Sequence, residues 1–519
     1  GAERVILARE LNKEQIKEII CNTPDELETE IFVHGALCYS ISGFCQFSSY
    51  LGGASANRGL CTQPCRRFYT CNNQTHSFFS MKDNQLITKL KDLADIGVTS
   101  FKVEGRLKSG EYVQTVAESY RKVIDNKEII TDIADLSRQK TQWFIGDNIA
   151  DAITDSPSTG IVIGQVIDCH DGTLKFTSNI ELNKGNRLRV RTNNDSGQCA
   201  VVLDDFRCTD GICTAKGFRG IAQTGSDVCL TAFRSSKTAA SLPACTIRNV
   251  SLSQKIKHDV IQKIRKPFNT SHKPMLVIRI DAAEWLKCSP IGKADVIIAA
   301  LPTAEWSNLA TACSKQLRYK IWIELPPMIN EQSIDTMRQT CGELAQKGYN
   351  RFVISHLSQK DILPKPCRFA TNELVYAYND AAVQWLKHEG AEWLCSPVEN
   401  EYENLLTGAC REQVIPLWFK PKLFISRMPV KLENEQFTDE YGNRYERHRQ
   451  NGLTIITPVQ PTCLTQYANK LRAKGFNRFL IDFSFNKLSE HTAQQVLKML
   501  NTSIGIQDAS TFNFKKGLK

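Results

Sequence analysis

The chain repeats itself, and the repeat narrows its fold more than any other feature. GAERVILARE at 1–10 returns as GAEWLCSPVE at 390–399, and EIFVHGALCYSIS (30–42) returns as VIPLWFKPKLFIS (414–426). LADIGVTSFKVEGRLK (93–108) returns as LRAKGFNRFLIDFSFNK (471–487), which sets Glu104 opposite Asp482. Around the second copy, MLVIRID, ADVIIAALP, YKIWIELPP, NRFVISHL, RFATNELVYAY, LTIITPVQ and RFLIDFS alternate with helix patterns. That rhythm predicts a parallel α/β domain, most simply a (β/α) barrel over 273–519. The first copy opens directly on a strand pattern, followed by an amphipathic helix from Asn12, so it reads as the later part of such a barrel in an N-terminally truncated chain.

The residues between the copies have a different character. A polar, Asp-rich linker is expected over 131–158, and a second, helical linker over 237–272. From 159 to 236 come short alternating runs, GIVIGQVIDCHDGTLKFTS, GNRLRVR, QCAVVLDD, ICTAKGF and SDVCLTAF, separated by turn signals such as DG and NDSG. They predict a small antiparallel β-barrel of five to seven strands. The fold class is therefore α/β: an incomplete barrel over 1–130, a small antiparallel β domain, and a second, degenerate barrel-like domain.

Composition excludes disorder and membrane spanning. The chain is 42% hydrophobic and 23% charged. No apolar run approaches the ~18 residues that cross a bilayer. A cytoplasmic protein without a membrane partner is expected. The net charge of +10 permits an anionic partner without requiring one.

Nineteen cysteines is an odd number, and a reducing compartment would not sustain a disulfide framework. Cys229, Cys288, Cys313, Cys341 and Cys410 sit singly in apolar stretches and read as small buried hydrophobes. The stretch from His34 to Cys65 differs. Cys38, Cys45, Cys61 and Cys65 follow a C-x6-C-x15-C-x3-C pattern in one Gly-rich loop, a closed set of soft ligands suited to an iron–sulfur cluster or to Zn. The wide spacing, with one short pair only, favours iron–sulfur over zinc; coincidental free thiols are the remaining reading. Arg58 and Arg66 add positive charge that would offset an anionic cluster or receive an anionic substrate.

ELETEIFVHGALCYSISGFCQFSSYLGGASANRGLCTQPCRRFY, then FFSMKD and GVTSFKVEGRLKSGEYVQTVAESYRKVID, closely resemble the peptidase U32 family, the collagenase-like proteases. The resemblance covers roughly residues 1 to 125 and is closest to members regarded as RNA hydroxylases. It implies that Cys38, Cys45, Cys61 and Cys65 hold a [4Fe-4S] cluster at the mouth of an incomplete U32 barrel. It also implies 5-hydroxylation of a pyrimidine in 23S rRNA or tRNA, with prephenate as co-substrate and RNA as partner. In relatives acting on a ubiquinone precursor the fourth ligand aligns with Ser80, whereas this chain has Cys65.

Other candidate residues would share that mouth, where barrel active sites are built. Lys102, Glu104 and Arg106 alternate along a strand end and read either as catalytic groups or as an ion pair closing the barrel. His34 offers proton transfer near the cluster, or is a satisfied core histidine. Lys82 and Asp83 are expected to begin a helix, with Asp83 as cap and Lys82 available to phosphate.

Three function classes follow. A peptidase would need a nucleophile or hydrolytic metal, and neither HExxH nor G-x-S-x-G occurs. An iron–sulfur RNA hydroxylase uses the whole loop. A non-catalytic RNA-binding or scaffold protein would need the cysteines only for folding.

Overall fold

The computed structural model describes residues 2–105, 108–133, 135–146, 152–154, 159–191, 200–232, 253–264, 272–307, 309, 313–507 and 509–519. Two compact units emerge, one from residues 1–42, 65–69 and 75–248, the other from 43–64, 70–74 and 249–519. Both carry mixed α/β architecture. No described helix is long and apolar enough to cross a membrane.

In the first unit, strand Glu28–Ala36 pairs in parallel with Arg4–Ile6 on one side and Ser100–Val103 on the other. The helix Lys13–Cys21 begins where expected: the Asn12 side chain accepts from the Gln15 amide at 2.8 Å, and Gln15 returns a bond to the Asn12 amide. Ile31, Val33, Leu86, Leu93, Val116 and Tyr120 form its core. One expectation fails here. Lys82 and Asp83 do not open a helix: Asp83–Gln85 is a strand, antiparallel to Glu28–Ala36 and parallel to Lys140–Thr141. The short stretch carries no periodicity, and its conformation is set by ladder partners distant in sequence. The expected linker is partly built into the same sheet through Lys140–Thr141.

Seven strands, at 161–170, 173–177, 187–190, 200–202, 206–209, 212–216 and 227–232, form an antiparallel sheet. Alternation places Leu174 and Phe176, Leu188 and Val190, and Val228 and Leu230 in one core. Cys208 and Cys213 form a disulfide across one hairpin, a local link and the one disulfide among the described residues.

In the second unit, eight parallel strands follow the order 391–394, 368–371, 351–354, 321–324, 296–299, 275–280, 478–482 and 415–419. The two ends of this path meet: Cys395 bridges Val414, Ser396 N donates to Val414 O at 2.9 Å, and Val414 N donates to Leu394 O at 2.8 Å. The sheet thus curls on itself. Side chains of period two point inward as an apolar layer of Val277, Ile298, Trp322, Val353, Trp393 and Leu480. The other face carries a larger core under the helices. LTIITPVQ is not one of these parallel strands. Leu453–Pro458 pairs antiparallel with Arg444–Gln450 and Phe424–Ser426, because Asn451 and Gly452, both at positive φ, turn the chain back as a hairpin. Pro421 lies in the break that separates Ile415–Phe419 from Phe424–Ser426.

The repeat is present in three dimensions down to its irregularities. Ile31 pairs with Phe101, and Ile415 pairs with Phe479. In both units the register then slips at the same place, between Phe32 and His34 and between Pro416 and Trp418. His34 faces Gln85 across an antiparallel pair as Trp418 faces Cys463.

Candidate functional site

The thiol loop begins where strand Glu28–Ala36 ends, and its ends and its middle belong to different units. Cys38 and Cys65 lie in the first, Cys45 and Cys61 in the second. Each pair is drawn together through its neighbours. Arg66 donates to Leu37 O at 2.9 Å, to Ser80 Oγ at 3.0 Å and to Met81 O, which ties the residue after Cys65 to the residue before Cys38. Thr62 N donates to Ser48 Oγ at 2.7 Å, and the two hydroxyls lie 2.8 Å apart, which ties the residue after Cys61 to a turn just beyond Cys45. Of the four cysteines, Cys45 is buried, Cys38 and Cys65 are half-buried and Cys61 is exposed. Cys61 Sγ accepts from Gln63 N at 3.3 Å. Gly53 sits at φ +76°, where a Cβ would come within 2.8 Å of Gly517 O, so the backbone passes too closely for any other residue.

As a donor set, four cysteine sulfurs suit a soft metal centre. No three His, Cys, Asp or Glu side chains among the described residues are gathered tightly enough to hold a metal ion. The fit is therefore one of donor chemistry.

The middle of the loop is built into the second unit. Gln46 N donates to Leu423 O at 3.0 Å, Phe47 packs edge-on against Phe424 and Tyr445, and Asn513 bonds Ser49. The sequence reading hung the whole loop over the first barrel. The second unit holds its centre instead, because an irregular loop has no period from which long-range partners can be read.

His34 is enclosed, with Nε2 2.7 Å from Asp135 Oδ2 and Nδ1 3.3 Å from the Tyr120 hydroxyl, which itself donates to Val33 O. Burial raises the Asp135 carboxyl, but His34, Lys140 and Ser137 outweigh it and hold the group well below the usual carboxylate range. Lys102 pairs with Glu30 at 2.8 Å, and the Glu30 carboxyl is lowered first by that bond and then by Ser100. Glu104 is engaged locally, its Oε2 accepting from Ala36 N at 3.2 Å. Both residues thus contact strand Glu28–Ala36. Arg106 lies outside the described residues.

The Arg66 side chain is 8% exposed, with its guanidinium turned inward onto Leu37 O, Ser80 Oγ and Met81 O. Asp83, fully buried, lies 3.4 Å from Arg138 and 3.9 Å from Arg66. Lys82 is half-buried, and its amide donates to Ala152 O. Arg58 is exposed and lies within electrostatic reach of Tyr378. Sequence reasoning missed Asp135, Arg138 and Tyr120. Arg138 is buried in reach of Arg66, Asp83 and Cys65, and burial followed by Arg66 lowers its pKa. Tyr120 carried one usable signal, an inward position on the amphipathic helix Gly110–Ile124.

Residues 1–142 match the model of Peptidase family U32. The chain is 41% identical over 145 residues to the 23S rRNA 5-hydroxycytidine C2501 synthase of Escherichia coli (strain K12), covering 27% of this chain and 22% of that protein. It is 39% identical over 142 residues to a collagenase of Porphyromonas gingivalis, covering 24% and 34%. It is 38% identical over 138 residues to tRNA hydroxylation protein P1 of Bacillus subtilis, covering 24% and 32%. The chain thus spans about a third or less of the length of these relatives.

Proposed function

With residues 1–142 carrying the Peptidase family U32 match, we propose that this chain is part of an RNA-modifying enzyme that places a 5-hydroxyl on a pyrimidine of 23S rRNA or tRNA. On this reading Cys38, Cys45, Cys61 and Cys65 hold a [4Fe-4S] cluster, and prephenate is the co-substrate. The single observation that supports it is four cysteines in one loop, tied pairwise through Arg66–Leu37 and Thr62–Ser48, on the segment similar to proteins named for rRNA and tRNA hydroxylation. When bound, the cluster supplies redox chemistry that no protein side chain provides.

The chain's own residues have plainer tasks. Arg66 and Thr62 shape the loop, exposed Arg58 is placed to meet phosphate, and the His34–Asp135 pair keeps the strand beneath the loop rigid. On this reading the first sheet is part of a (β/α) barrel and the curled second sheet its degenerate copy, with the thiol loop at the rim where strand Glu28–Ala36 ends. A target base would have to leave its stack to reach such a rim.

A peptidase is the competing reading, favoured by the collagenase-named relative. Mass spectrometry of rRNA and tRNA from a deletion strain separates the two. Hydroxylation predicts that one pyrimidine loses the mass of an oxygen atom. Unchanged RNA together with lost gelatin cleavage would favour the peptidase.

A further inference from the structure

The repeat sets Glu10 opposite Glu399, each closing its ten-residue segment. The equivalence holds in the fold: Leu7 N donates to Glu30 O, and its counterpart Ser396 N donates to Val414 O. Both glutamates are buried, at 8% and 0% exposure. Burying a carboxylate is costly, so the donors that reach these two groups count.

In both cases a donor is a serine of the thiol loop. Glu10 accepts from Ser42 N at 2.9 Å and from Ser42 Oγ at 3.0 Å. Ser42 lies between Cys38 and Cys45. Glu399 Oε2 accepts from Ser55 Oγ at 3.4 Å and from the Tyr376 hydroxyl, and that hydroxyl accepts from Asn57 Nδ2 at 2.8 Å. Ser55 and Asn57 lie between Cys45 and Cys61. Ser55 O also accepts the amides of Arg58 and Leu60, so the turn leading into Cys61 is built on the residue that Glu399 grips.

We infer that Glu10 and Glu399 are repeat-related positioning residues that fix the thiol loop at two points before any metal arrives. The inference rests on the thiol loop being the functional element, but not on which ion it holds. A preformed loop lowers the ordering cost of gathering four ligands. Neither glutamate is a ligand. Each acts through a serine.

The test is amide hydrogen exchange on the metal-free protein, with iron content after reconstitution as a second readout. Losing a charge-assisted bond to a buried acceptor is expected to speed exchange across residues 53–62 about tenfold in Glu399→Gln. Tyr376→Phe should act in the same direction while leaving the carboxylate in place. Glu10→Gln should loosen residues 38–44 and spare 53–62. Iron retention should fall in Glu399→Gln and recover in part when excess iron and sulfide are supplied. Unchanged exchange in a folded Glu399→Gln and in Tyr376→Phe overturns the inference even if iron binds normally. Conversely, the expected exchange pattern in a protein that never takes up iron leaves the clamp standing and removes the iron–sulfur reading.

Discussion

His34 Nε2 lies 2.7 Å from Asp135 Oδ2, and both side chains are wholly shut off from solvent. Asp135 also receives Lys140 and Ser137, so its charge is compensated on every side shown. Removing one partner of such a pair strands the other.

Asp135→Asn is therefore expected to cost about 3 kcal/mol at neutral pH. The carboxyl is depressed in the folded state, so its contribution is present above the unfolded value of about 4 and is lost as pH falls further toward the folded value. Denaturant titrations of both proteins should show the difference shrinking only below about pH 4. A difference independent of pH in that range would contradict the charge-pair account.

Asp281 shows the opposite sign. Burial, then the charge of Asp482, pushes its carboxyl up to about 7. The folded state holds this proton more tightly than the unfolded chain, so stability is highest below about pH 4 and declines as pH rises toward 7. Asp281→Asn keeps an oxygen for Trp285 Nε1, which now donates at 3.2 Å. The variant should be more stable than the parent at pH 8, by about 1 to 2 kcal/mol, and equal to it near pH 4. Equal thermal midpoints at both pH values would refute this.

Arg279 stands inside the second sheet, 2% exposed, with Glu324 at 3.0 Å, Glu373 at 2.6 Å and Asp482 at 3.2 Å. Arg279→Met leaves three buried carboxylates facing one another and is expected to cost about 3 to 5 kcal/mol at pH 7. Part of that loss should return as pH is lowered and the carboxylates protonate. Circular-dichroism melts across pH 4 to 8 read it directly.

Arg66→Lys keeps the positive charge but not the fork that reaches Leu37 O and Ser80 Oγ together. It should destabilise by about 1 to 2 kcal/mol, and, on the proposed RNA-modifying function, leave the salt dependence of RNA binding unchanged. A shallower salt dependence would return Arg66 to the role of phosphate receptor.

What could be read from the sequence, and what could not, divides along physical lines. The repeat, the parallel strands at 28–36 and 415–419, the seven-stranded sheet and the buried character of Cys313, Cys341 and Cys410 all leave periodic or compositional traces in the chain. Asp83 left none, since its strand is three residues long and exists through pairing with Ala36. Asp135 sat in a polar stretch that reads as linker, and its partner His34 is 101 residues away. Arg66 looked available because charge is visible in sequence and direction is not. The grip of Glu399 on Ser55 spans 344 residues and leaves no local pattern in the sequence.

The central claim is that one loop gathers four thiols around an inorganic centre. Anaerobic purification followed by visible absorbance and iron and sulfide analysis of Cys45→Ala, Cys61→Ala and Cys313→Ala tests it most directly. The account predicts a brown parent protein, bleached and iron-poor in both loop variants and unchanged in Cys313→Ala. Retained colour in both loop variants, or a parent that takes up neither iron nor sulfide on reconstitution, would contradict it.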